Sequence, residues 1–99
     1  MIENPTKQNF ALGYAWYRRE QWERLRAVSA DAADLEDTYD EWMKTAKRTV
    51  KALRRQGVHA QKVDVDVEEL VRWCQKQNRA IDSEARSAFV VDKLQKGET

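Results

Sequence analysis

Ninety-nine residues suffice for one hydrophobic core, and the 41% apolar fraction, with four Trp, three Tyr and two Phe, supplies the bulk for it. An intrinsically disordered chain is excluded. Eighteen Lys and Arg against seventeen Asp and Glu leave a net charge of +1, too little for a whole-molecule field that draws nucleic acid or an acidic membrane. One Cys and one His exclude an internal disulfide and a four-ligand Cys/His zinc site within the chain.

The expectation is a single domain over residues 1–99, with 1–9 a flexible N-terminal tail and 96–99 a frayed end. No apolar run follows Glu3, Asn4, Pro5 and Lys7, so the start does not read as a secretory signal. Nothing approaches the ~18 consecutive apolar residues of a membrane span. The lone Cys74 fits a reducing interior, which makes the cytoplasm the expected compartment.

In chain order, Ala11 to Tyr17 is aromatic-rich and contains Gly13, which favours a strand over a helix interior. Arg19 to Ser29 reads as a helix through Trp22, Leu25 and Val28. The acidic stretch from Ala30 to Asp37 is a connector with room for a turn of helix at Asp31–Leu35. Tyr39 to Gln56 is the strongest helix. Tyr39, Trp42, Met43, Ala46, Val50 and Leu53 recur at steps of three and four, forming a ~100°-wide stripe. Thr38 with Glu41 has the form of a capping box, and Gly57 stands where a left-handed residue closes the last turn.

From Gln61 to Val65 the chain alternates polar and apolar, a strand signal within Val58–Val65. Val67 to Gln77 is a helix capped by Asp66, with Val67, Leu70, Val71 and Cys74 inward and Asn78 a left-handed stop. Ser83 to Gln95 is another, capped by Asp82, with Ala85, Ala88, Phe89 and either Val91 or Leu94 inward. A lone strand cannot satisfy its own backbone, so Ala11–Tyr17 is the expected partner, in a right-handed parallel crossover. A lone helical N-terminus, or strand pairing between two chains, is the alternative. The fold class is α+β, mainly helical: about four helices and a minimal two-stranded sheet in the order β-α-α-β-α-α.

Charge is banded. Residues 1–43 hold nine acids and five bases, residues 44–63 seven bases and no acid, and residues 64–99 eight acids and six bases. Lys44, Lys47, Arg48, Lys51, Arg54 and Arg55 occupy the side of the 39–56 helix away from its apolar stripe, a face able to neutralise phosphates. The same cations also complement the helix C-terminus and cover apolar surface with their stems. Asp31, Asp34, Glu36, Asp37, Asp40 and Glu41 lack calcium-loop spacing and read as a solvated cap. Cys74, on an apolar stripe near a helix C-terminus, reads as a small buried hydrophobe rather than a nucleophile paired with His59. Trp16, Trp22 and Trp42 read as core. Trp73 departs from its helix's stripe and faces either a neighbouring helix or a partner, for which it would be an anchor.

The combination Ala15-Trp16-Tyr17-Arg18, Ser29-Ala30-Asp31, Thr38-Tyr39, Glu41-Trp42, Val65-Asp66 and Trp73-Cys74 resembles a group of small bacterial proteins of uncharacterised function. The likeness spans about Tyr14 to Leu94. It implies a small bacterial cytoplasmic domain and brings no activity, cofactor or site with it. The expected function is a non-enzymatic interaction module binding another protein or a second copy of itself as a homodimer. The candidate contacts are Trp73, Lys44, Lys47, Arg48, Lys51, Arg54 and Arg55. The alternative is an accessory nucleic-acid-binding protein using the basic face of the 39–56 helix. No catalytic residue, cofactor, metal, small-molecule ligand or membrane partner is expected.

Overall fold

The computed structural model describes residues 11–97; the expected tail over 1–9 and the final residues 98 and 99 lie outside them. The order is β1 (Ala11–Trp16), α1 (Trp22–Val28), α2 (Tyr39–Arg55), β2 (His59–Asp64), α3 (Val67–Lys76) and α4 (Ser83–Gln95), with 3-10 turns at Arg19–Gln21 and Ala32–Asp34. This is the β-α-α-β-α-α arrangement of a mainly helical α+β fold. β1 and β2 pair in parallel, Ala11 beside His59 and Trp16 beside Asp64. Parallel pairing follows from the connection: a two-residue turn can only return a strand antiparallel, whereas two helices carry the chain back to the starting end.

Local signals set the helix ends. Thr38 Oγ1 accepts the Glu41 N–H and starts α2. Gly57, at φ 86°, ends it: Val58 N–H donates to the Leu53 carbonyl and Gly57 N–H to that of Arg54, a Schellman closure. Asn78, at φ 53°, closes α3 in the same way, with Arg79 N–H on the Cys74 carbonyl. Asp66 and Asp82 cap α3 and α4 through the Glu68 and Ala85 amides. The helix expected over Arg19–Ser29 is broken at Gln21, whose backbone sits at φ −106°, ψ 0°. Its side-chain amide is engaged 46 residues away, accepting the Val67 N–H at 2.9 Å and donating to Asp66 at 3.0 Å.

The sheet is covered on both faces. One face carries Trp16, whose ring meets Trp42 of α2 edge-on at 5.3 Å. The other carries Gly13, which lies under Val90 and Leu94 of α4. Adjacent strand residues point to opposite faces, so α2 and α4 lie on opposite sides. Leu25, Val63, Val65, Val67, Leu70, Cys74, Ala85, Phe89 and Val90 fill the core. Trp16, Trp42, Tyr17, Trp22 and Tyr39 form a linked aromatic cluster, and the Tyr39 hydroxyl donates to the Tyr17 carbonyl at 2.9 Å. Of the two residues offered as inward on α4, Leu94 is the one packed on the sheet, while Val91 is 49% exposed. Val90, omitted from that stripe, is buried instead. Gly13 leaves room for α4 to press directly on β1, so the helix buries a second line of residues beside Ala85 and Phe89.

Candidate functional site

A two-stranded sheet has two edges, and the outer edge of β1 faces a groove of about 520 Å³. Its walls come from β1, from Tyr17 and Trp42, and from α4 between Ser83 and Gln95; no residue of β2 contributes. Val65 N–H donates to the Trp16 carbonyl, so the even-numbered residues of β1 bond β2. The amides and carbonyls of Gly13 and Ala15 therefore point away from it. Among the described residues no other strand takes them up. From Ala11 to Tyr17 there is no charged side chain. Leu12 (42% exposed) and Val91 are the two large hydrophobics left exposed among the described residues, and both line this groove.

Arg86 forms the polar end of the groove. Its guanidinium grips Asp31 with two bonds of 2.8 Å and reaches Ser29 Oγ at 3.2 Å, tying α4 to the connector before α2. Hydrogen bonds from Arg86 hold the Asp31 carboxyl below the usual carboxylate range. Asp31 was expected in a solvated acidic run; the structure turns it inward as half of a salt bridge only 11% and 18% exposed. Tyr17 lines the same groove, and burial pushes its hydroxyl up to about 12, so it stays protonated.

The basic stripe divides. Lys47, Lys51, Arg54 and Arg55 join Lys62 of β2 around a shallow groove of about 360 Å³ floored by Val50. Lys44 and Arg48 line a separate hollow with Glu36, Asp37 and Glu41. Arg54 is held by two hydrogen bonds from Nε and Nη2 to the Ala60 carbonyl, at 3.3 and 2.9 Å. The Lys62 ammonium sits 4.4 Å above the Trp16 ring, an arrangement in which the ring face attracts the cation. Sequence reading missed Lys62 as a member of this set. Its place on the strand facing α2, at an even step from Ala60, was the available signal.

Trp73 is half-buried, its ring edge-on to Phe89 of α4 at 5.4 Å and its other neighbour the Arg79 guanidinium at 5.7 Å. It faces the neighbouring helix while lining a cleft with Glu69, Arg72 and Lys76. Cys74 is 1% exposed in the core, and burial pushes its thiol up. His59 is exposed and lines a hollow with Arg54, Gly57, Val58 and Ala60, which Cys74 does not reach. Among the described residues no cluster of three His, Cys, Asp or Glu is placed to hold a metal ion. No described helix is long and apolar enough to cross a membrane. Comparison with models of known families, with curated proteins and with solved structures finds no match.

Proposed function

We propose that the chain is a non-enzymatic interaction module that pairs with a second copy of itself through the outer edge of β1. The observation that carries this reading is the uncharged edge at Gly13 and Ala15, flanked by exposed Leu12 and Val91. Edges that must stay single are usually guarded by Lys, Pro or inward charges, and β1 carries none of them. A two-fold antiparallel pairing sets each β1 against its own copy, so any charge on it would meet a like charge; this strand has none to repel. A two-stranded sheet is marginal by itself, and the pairing makes it four-stranded. The module is assigned to the cytoplasm, where a lone buried thiol remains reduced, and to a bacterium by its resemblance to small bacterial proteins.

Light scattering coupled to size exclusion tests the reading on the full chain over a range of concentrations. Twice the monomer mass is expected, returning to monomer in Leu12→Lys, which places a cation on the edge, and in Val91→Glu, which alters only the flanking helix surface. A wild-type chain that stays monomeric throughout overturns self-association, whatever other segment or partner then covers the edge. A dimer indifferent to both substitutions overturns the edge as its interface.

A further inference from the structure

We propose a second interaction surface: the groove of Lys47, Lys51, Arg54, Arg55 and Lys62 binds the phosphodiester backbone of double-stranded nucleic acid without reading its sequence. It does not depend on edge pairing. The first support is what the groove lacks. No acid occurs between residues 44 and 63, and none of the five cations forms an ion pair with a described residue. By contrast, Arg18, Arg24 and Arg86 each hold a carboxylate at 2.6–2.8 Å. Five cations gathered around one groove with no carboxylate among its lining residues concentrate uncompensated positive charge there.

The second support is preorganisation. Arg54 is anchored to Ala60 through Nε and Nη2, which leaves Nη1 for a ligand, and Lys62 is seated over Trp16. Cations held in place lose less freedom on binding than ones swinging in solvent. From Lys47 to Arg55 the helix rises about 12 Å, the length of three to four base steps along one strand.

The groove's chemistry selects among anions. A membrane surface would be met by cations bordered with exposed apolar side chains, but Val50 is 3% exposed and the exposed Leu12 and Val91 belong to the other groove. No exposed aromatic lines the groove to stack unpaired bases, and no Asn or Gln lines it to read base edges. Duplex phosphates remain as the fitting partner.

Fluorescence anisotropy with a labelled mixed-sequence DNA duplex of about 20 base pairs tests this at ~50 and ~200 mM salt. If about four phosphates are neutralised, affinity falls about 150-fold over that range, with a log–log slope near −3.6. Lys47→Gln/Lys51→Gln, both exposed and helix-compatible, should flatten the slope by about 1.8 with an unchanged circular dichroism spectrum. Lys76→Gln, outside the groove, should leave it unaltered. No anisotropy change at ~50 mM salt ends the proposal. So does a slope unmoved by the double substitution, tighter binding of the matching single strand, or capture by phosphatidylserine vesicles with none by the duplex.

Discussion

Gly13→Ala tests the placement of α4 on the sheet more sharply than any change in the core. A Cβ at Gly13 would stand 2.5 Å from Val90 Cγ1 and 2.6 Å from Leu94 Cδ1, inside any real carbon contact. The backbone there needs no left-handed conformation, so Ala itself is not strained and would by propensity gain about 0.5–1 kcal/mol. Leu94 is half-buried and can swing aside. Val90 cannot: it is 3% exposed and β-branched on a helix, where one rotamer dominates. A contact this short puts overpacking at about 2–3 kcal/mol, the upper part of the usual range, and subtracting a gain of ~1 kcal/mol leaves a net loss of about 1–2 kcal/mol. For a domain of this size that lowers Tm by about 5–15 °C. Val90→Ala alone should cost about 2 kcal/mol. In the Gly13→Ala background it should cost at least ~1 kcal/mol less, because it removes the clashing methyl. Thermal and urea unfolding of the four proteins provide the cycle. If Gly13→Ala matches or exceeds the parent in Tm, or if the two substitutions simply add, α4 does not press on β1 as described.

Asp31 should shape the acid limb of stability. Its carboxyl is held low in the folded chain, so its contribution is complete above about pH 4 and is lost as the pH falls further, where the unfolded chain takes up the proton more readily. Asp31→Asn should cost about 2 kcal/mol near neutrality and flatten the stability profile below pH 4; a profile parallel to the parent's would remove the Arg86 pair as its cause. Cys74 should be alkylated by iodoacetamide only as fast as the chain opens, with labelling accelerating through the urea transition. Rapid labelling of the native chain at neutral pH would mean that the thiol is not held in the core.

Much of the architecture was legible because it is written in short-range chemistry. The Thr38 cap, the stripe from Tyr39 to Leu53 and the Gly57 stop bracket α2, and Asp66, Asp82 and Asn78 mark α3 and α4 in the same way. The pairing of Ala11–Trp16 with His59–Asp64 followed by elimination, since no other segment had strand character. What escaped were side-chain relations that span the chain. Gln21 closes the start of α3 across 46 residues and so breaks its own helix. Arg86 draws Asp31 inward across 55 residues.

The candidate surfaces follow the same division. Periodicity put six cations on one side of α2, but the elements beside the helix decided their company: β2 added Lys62 to four of them, and the acidic connector stands beside Lys44 and Arg48. An uncharged run from Ala11 to Tyr17 was visible in the letters, whereas the groove beside it required α4 to arrive. The amino-acid order by itself determined where α2, α3 and α4 begin and end, because capping, periodicity and left-handed stops act within a turn or two. Only the tertiary structure decided which faces meet and which edge stays open, because those depend on contacts between residues that the chain brings together from far apart.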